Sequence, residues 1–336
     1  MARELGVDWR SDPAERVVHF CVQRISGWLS EFSVSSFPTM EKVERLVCAK
    51  LKLVVEEVDS EEKMDFLIGK YAVQKGEGAF AHLREELGEK TFGVLMRREK
   101  AGPTDRDRFI AVVDCRGDKQ SRRYFSRWHE IAHMLTLYDQ LALPFHRSQG
   151  DGSPTERLMD MIAGEIGFYA PLFQPALDDA LAGKNRVSFE TVDSLQAKFA
   201  PTASFQSTLF ACLNRSKLAA AYLETGLGYK KAEQQLISSG QLLLGTSNRP
   251  EAKLRVLDCS SNDAARAKRL RFHQNMEVPR ESVVFRDFYG SNFAKRATRE
   301  NLNTWSHSDG RNLGNLEMEI ETRRIRDRLI VLANPV

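Results

Sequence analysis

Two histidines stand one helical turn apart in a segment whose pattern predicts a helix. Residues 129–133 read H-E-I-A-H, so His129 and His133 lie on the same helical face. Both imidazoles can therefore reach one zinc ion, and Glu130 is placed to take a proton from water bound to that metal. This motif constrains the fold more than any other feature, because it requires a continuous helix with a ligand-bearing partner beside it.

The composition is typical of an ordinary globular protein around this motif. The chain has 336 residues, of which 42% are hydrophobic and 28% charged, and a formal net charge of +3. This length predicts roughly two domains, and so small a charge does not by itself indicate nucleic acid or a membrane as partner. Five scattered cysteines, no signal peptide and no long apolar run predict a reduced, cytoplasmic protein.

Hydrophobic periodicity predicts an α+β chain. Helices are expected at 13–34, 40–51, 122–137, 189–199 and 205–218, with a further one starting at Pro154. Strands are expected at 51–58, 92–96, 108–114, 317–321 and 328–333. These elements predict three regions: 1–182 around the motif, a helical segment at 183–240, and a β-rich sensor or interaction domain at 241–336.

A catalytic zinc takes three protein ligands and leaves a fourth position to water, so the motif needs a third ligand. Asp139 stands where metzincin-type proteases carry theirs, although Thr136 replaces the glycine that they need. His146 lies in a predicted loop. Glu156 opens the next predicted helix with Asp160 one turn further on, but a solvated first turn also favours such acidic pairs. The residues alone leave Asp139, His146 and Glu156 open as candidates.

The segments around both helices resemble the motifs of the ImmA/IrrE family of zinc metallopeptidases. Residues 123–135 (R-Y-F-S-R-W-H-E-I-A-H-M-L) resemble that family's aromatic and apolar H-E-x-x-H helix, and residues 156–166 (E-R-L-M-D-M-I-A-G-E-I) resemble its second motif. Ile131, Ala132 and Met159 depart from the residues that are usual there. The similarity is specific over 109–171 and extends over about 40–220.

This resemblance implies a gluzincin-like zinc site and a zincin-like fold. His129, His133 and Glu156 would be the metal ligands, Glu130 the general base, and Asp160 the partner that holds a ligand histidine by a hydrogen bond. The implied fold is a small β-sheet with the H-E-x-x-H helix and a second ligand helix. A helix-turn-helix-like segment and a small β-rich C-terminal domain follow.

The activity implied by the resemblance is that of a zinc endopeptidase with narrow specificity. Its expected substrate is a helix-turn-helix transcriptional repressor, whose cleavage would derepress a stress-response or mobile-element operon. The alternative is a non-catalytic, metal-containing regulator that binds DNA or a protein partner through its C-terminal half. The presence of Glu130 favours the peptidase, because a purely structural zinc needs no general base.

Several other features predict no separate function. Direct nucleic-acid binding is not expected, because 205–214 contains no basic residue and the basic cluster at 264–271 is typical of a solvated face. Cys115 is expected to be a buried structural thiol. The strand ending at Asp114 is expected to offer an edge for an extended substrate peptide.

The sequence does not single out a residue that would stabilise the oxyanion of a peptidase reaction. Arg123, Tyr124, Tyr138 and Tyr169 all lie near the two motifs and are candidates. The oligomeric state also has no signal in the sequence.

Overall fold

The chain divides into two compact units. The structure, a computed structural model, describes residues 1–2, 5–6, 12–32, 39–137, 144–148, 153–238, 250–290, 297–307 and 310–336. The first unit comprises Met1–Ala176 and Leu195–Ala211, and the second comprises Leu177–Ser194 and Cys212–Val336.

The first unit combines a small β-sheet with helices. Its elements in chain order are α1 (Pro13–Leu29), α2 (Met40–Leu51), β1 (Leu53–Val58), α3 (Glu61–Ile68), α4 (Leu83–Glu86), β2 (Thr91–Arg97), β3 (Phe109–Asp114), α5 (Arg123–Leu137), β4 (Pro144–Ser148), α6 (Pro154–Gly167), α7 (Ala170–Leu181), α8 (Phe189–Phe199) and α9 (Phe205–Arg215). The last three helices contribute residues to both units. A π-helical turn (Gly69–Gln74) and a 3-10 turn (Gly78–His82) connect α3 to α4. A second 3-10 turn (Gly117–Arg122) leads into α5.

The four strands of this sheet lie in the order β1-β3-β2-β4. β1 runs parallel to β3, whereas β2 pairs antiparallel with both β3 and β4. Both edges of β3 are therefore hydrogen-bonded to neighbouring strands. The expectation that the strand ending at Asp114 offers an edge to a substrate is wrong, because β1 and β4 take the outer positions among the described strands.

Different helices cover the two faces of the sheet. Val94 and Met96 of β2 point to one face and pack in an apolar cluster with α3 and the turns that follow it. Alternation along the strand turns Gly93 and Leu95 to the opposite face, where α5 lies. β3 is buried along its whole length, as expected for a strand covered on both faces.

Helices α5 and α6 pack antiparallel through a close contact at one glycine. A Cβ atom added to Gly167 would lie 3.1 Å from Cδ1 of Trp128. Tyr124 donates a hydrogen bond from its hydroxyl to the Gly167 carbonyl. The end of α6 therefore lies against the beginning of α5, and this places the first turn of α6 beside the H-E-x-x-H motif.

The second unit is built on a five-stranded antiparallel sheet in the order β6-β5-β9-β8-β7. Its further elements are β5 (Ala221–Gly228), α10 (Lys231–Ser238), β6 (Lys253–Ser261), α11 (Asp263–Ala267), α12 (Val283–Tyr289), β7 (Thr298–Asn301), β8 (Glu317–Ile325) and β9 (Arg328–Pro335). One apolar core gathers inward residues of these strands around Trp305 and Phe272, whose rings meet edge to face.

The structure confirms a mixed α+β chain with small sheets. The predicted strands at 317–321 and 328–333 are the antiparallel neighbours β8 and β9. Helix α1 ends at Leu29 rather than at the predicted residue 34, with Ser30 as its C-cap, whose backbone N–H donates to the Ser26 carbonyl. Residues 33 and 34 of that prediction lie outside the described residues. The range 183–240 contains β5 in addition to the predicted helices.

The cysteines behave as isolated thiols. All five are free, and Cys115 is buried as expected. Burial raises the pKa of the Cys115 thiol to about 12, so this group is protonated at neutral pH. Within the ranges that the structure describes, no helix is both long and apolar enough to cross a membrane.

The substitution Gly167→Ala tests the close packing of α5 on α6. We expect it to lower the free energy of unfolding by about 1–3 kcal/mol, because the new methyl group would crowd the fully buried Trp128 indole, which has little room to move. The matched control is Gly164→Ala on the same helix, where an added methyl group meets nothing within 4 Å. The control should be stabilised by up to about 1 kcal/mol. Urea denaturation measures both, and equal effects would contradict the contact.

Candidate metal centre

Three side chains from two helices converge at one point. The Nε2 atoms of His129 and His133, on α5, lie 3.2 Å apart. Glu156, on α6, places Oε2 3.0 Å from His129 Nε2 and Oε1 3.4 Å from His133 Nε2. In the described part of the chain, this is the one group of three or more His, Cys, Asp or Glu side chains with the spacing to hold a metal ion.

The sequence of α6 fixes where Glu156 lies. Ser153 precedes the helix, and its hydroxyl oxygen accepts a hydrogen bond from the Glu156 backbone N–H at 3.2 Å. Pro154 occupies the first turn. A proline is tolerated there because a backbone N–H at this position would have no helical partner, so its absence costs no hydrogen bond. With the start of the helix set, Glu156 and Asp160 lie one turn apart on one face. That face is turned toward His129.

His129 contacts a carboxylate at each of its ring nitrogens. Its Nδ1 atom lies 2.9 Å from Oδ1 of Asp160, and its Nε2 atom faces Glu156. A carboxylate that accepts the Nδ1 proton fixes the ring orientation and leaves the Nε2 lone pair available to a metal. Asp160 thus lies where it was predicted to support a ligand histidine.

The converging groups are shielded from water. His129 and His133 are 0% and 1% exposed, and the Glu156 side chain is 13% exposed. Burial alone would raise the pKa of the Glu156 carboxyl, but its hydrogen bonds with the two histidines outweigh this effect and hold that pKa well below its usual range. Glu156 therefore contributes one negative charge to the group, which favours a cation.

The spacing of the donor atoms fits a tetrahedral zinc ion. Zinc–ligand distances of about 2.0–2.1 Å place neighbouring ligand atoms of a tetrahedron about 3.3–3.4 Å apart. The two Nε2 atoms lie 3.2 Å apart, and the Glu156 carboxylate places Oε2 3.0 Å from His129 Nε2 and Oε1 3.4 Å from His133 Nε2. One ligand atom from each of the three residues lies within 4.8 Å of the other two. Two histidines and one glutamate are also a ligand set that catalytic zinc uses, with a fourth position left for water. The residues present therefore fit the metal that the sequence predicts.

Glu130 lies on the side of α5 that faces the sheet. It is 1% exposed, and a Cβ atom added to Gly93 of β2 would lie only 2.7 Å from its Oε1 atom. A larger residue at position 93 would take space that the carboxylate occupies. Sequence reasoning missed Gly93, although a glycine inside a strand pattern often marks the close approach of another group.

Two candidate ligands and one candidate oxyanion residue fall in a segment that the structure describes only in part. Asp139 and Tyr138 lie outside the described residues. His146 lies on β4, with its backbone opposite Val94 of β2.

The other candidate oxyanion residues have partners elsewhere in the first unit. The Tyr124 hydroxyl donates a hydrogen bond to the Gly167 carbonyl of α6. The Tyr169 hydroxyl lies 2.6 Å from the Ser26 hydroxyl of α1. Arg123 lies 4.0 Å from a carboxylate oxygen of Glu57 on β1. Each of these contacts joins two elements of the first unit, so the three side chains have a structural role there.

Substitution of each candidate ligand tests the metal assignment. Glu156→Ala should abolish tight zinc binding, because it removes the only charged donor of the group, and Asp160→Ala should weaken binding by about 10–100-fold. Asp139→Ala and His146→Ala are the matched controls and should bind zinc as the unchanged protein does. Competition with a chromophoric chelator measures each affinity. Wild-type affinity in Glu156→Ala would show that the third ligand lies elsewhere.

No family model matches this sequence, and no curated protein matches it either. The case for a function therefore rests on the two motif-bearing helices and on the arrangement of their side chains.

Proposed function

We propose that the protein is a zinc-dependent endopeptidase with a catalytic centre similar to that of the ImmA/IrrE family. The observation that supports this proposal most is the convergence of donor atoms from His129, His133 and Glu156 at separations of 3.0–3.4 Å. Glu130, adjacent to His129 in the chain, adds the acid–base group that a structural metal site does not need.

Each residue has a distinct role in the proposed reaction. Zinc held by the three ligands would lower the pKa of a bound water and polarise the scissile carbonyl. Glu130 takes the proton of the attacking water on its carboxylate and returns it to the leaving amine. Asp160 keeps the His129 ring oriented through the hydrogen bond at Nδ1. His129, His133 and Glu130 are buried, which strengthens their electrostatic interactions, because little water is present to screen them.

The proposed substrate is a helix-turn-helix transcriptional repressor, cleaved at few sites to derepress a stress-response or mobile-element operon. The support for this substrate is the resemblance of segments 123–135 and 156–166 to the ImmA/IrrE motifs. Among the described strands, β4 takes an outer position beside β2, the strand that carries Gly93. An extended peptide would bind there by strand addition.

The substitution Glu130→Gln tests the general base. The variant should keep its zinc and lose about 10²–10⁴-fold in the rate of repressor cleavage, because the amide cannot accept the proton. The assay incubates zinc-loaded protein with small helix-turn-helix proteins, beginning with any that is encoded beside this gene, and identifies products by mass spectrometry. Undiminished cleavage by the variant would reject the mechanism. A non-catalytic regulator would cleave none of these proteins in either form.

The substitution Gly93→Ala tests the position of the Glu130 carboxylate without changing a ligand. The new methyl group would displace the carboxylate, and a displacement of about 1 Å can reduce the rate by roughly 100-fold. Zinc affinity should be unchanged. Gly27→Ala is the control, because a methyl group there meets nothing within 4 Å. A loss of zinc in Gly93→Ala would instead indicate a general disturbance of the fold.

A further inference from the structure

The second unit contains a cavity of about 830 Å³. Its wall is formed by Lys230, by Arg255 of β6 and by residues of the segments 273–281 and 304–307. Pockets for small organic ligands typically measure about 300–1,000 Å³, so this cavity has room for much more than a single ion.

Arg255 is a buried cation in the wall of this cavity. It is 3% exposed, although it lies on β6 between two residues of the apolar core, Leu254 and Val256. Alternation along the strand turns Arg255 to the face opposite that core. Its partner across the β5–β6 pair is Gly226, which adds no side chain beside it. A guanidinium buried in this way is costly unless its donors find acceptors.

The described residues satisfy only part of this guanidinium. Nη1 donates to the Asn275 carbonyl at 2.9 Å. Nη2 lies 3.7 Å from Oε2 of Glu277, which is beyond hydrogen-bond range. The buried Nε atom has no hydrogen-bond acceptor among the described residues. Nε and Nη2 form one edge of the guanidinium, and this is an edge through which a carboxylate or phosphate accepts two parallel hydrogen bonds.

Other residues of the wall suit an anionic organic molecule. Lys230 and Arg280 are exposed cations that line the cavity. His273 and His307 also line it, with ring centroids 5.2 Å apart. Pro279 adds an apolar surface that could contact a carbon skeleton.

The acidic residues of the wall do not cancel its positive charge. Glu277 and Glu281 oppose three cations, those of Lys230, Arg255 and Arg280. Glu277 also binds Lys253, with its carboxylate oxygens 3.0 and 3.2 Å from Nζ. The balance of charge at the cavity is therefore positive.

We propose that this cavity binds a small organic anion that carries a carboxylate or phosphate group. The anion pairs with the Arg255 guanidinium through Nη2, and Lys230 and Arg280 attract it by charge. This site shares no residue with the candidate metal centre. It goes beyond the proposed peptidase activity, and neither proposal depends on the other.

Isothermal titration of the full chain at constant ionic strength tests this binding. The probes are succinate and glucose 6-phosphate, with succinamide and glucose as their uncharged counterparts. We expect saturable binding of at least one acid and none of its counterpart, and the acid that binds distinguishes a carboxylate ligand from a phosphate ligand. Failure of both acids to bind, or equal binding of the uncharged molecules, would overturn the proposal.

Substitutions then locate the binding site. Arg255→Met should weaken the affinity by about tenfold or more, because it removes charged hydrogen bonds. Lys230→Met and Arg280→Met alter exposed residues, so they should fold normally and weaken binding by roughly threefold each. Arg299→Met, at an exposed arginine outside the cavity wall, is the matched control and should have no effect.

The substitution Glu277→Gln gives a result of opposite sign. It removes the negative charge that lies 3.7 Å from Nη2 of Arg255, so an anion should bind several-fold more tightly. Weaker anion binding in this variant would contradict the proposed site. Unchanged affinity in the double variant of Lys230→Met and Arg280→Met would contradict it independently, even if Arg255→Met failed to fold.

Discussion

The contacts of the His129 imidazole with two carboxylates of α6 determine the arrangement of the first unit. Asp160 and Glu156 lie 2.9 and 3.0 Å from its two nitrogens, and the ring itself is fully buried. Buried polar groups need partners, so a shift of α6 along α5 by one turn would remove these carboxylate partners from the buried His129 ring and the histidine contacts from Glu156. At the other end of these two helices, Gly167 of α6 comes close to Trp128 of α5, and this contact is compatible with the same alignment of α6 along α5.

Hydrogen-bonded ion pairs of Arg127 stabilise the position of helix α5. Arg127 donates to Glu44 of α2 at 2.9 Å and to Glu57 of β1 at 3.1 Å. Burial raises the pKa of the Glu44 carboxyl, and this effect exceeds the opposing influence of Arg127. The helix that carries the histidines is therefore connected to a neighbouring helix and to the sheet. Such support is what a metal site needs, because small displacements of its ligands are costly.

The two units place unusual polar groups in different chemical settings. In the first, buried histidines and Glu156 form a compact donor set with a carboxylate charge, which suits a cation. In the second, buried Arg255 lines a larger cavity with a positive balance of charge, which suits an anion. Both sites depart from the rule that interiors are apolar, and such departures commonly coincide with function.

The sequence by itself determined the helices α5 and α6 and the motif residues on them, because helical periodicity, an N-cap serine and a four-residue spacing are local properties. It could not select Glu156 from among the candidate third ligands without the help of a resemblance. Only the tertiary structure decided that Glu156 faces the histidines, that Gly93 makes room for Glu130, and that Arg255 is buried. These are contacts between residues distant in the chain, and they depend on which faces of the helices and strands pack together.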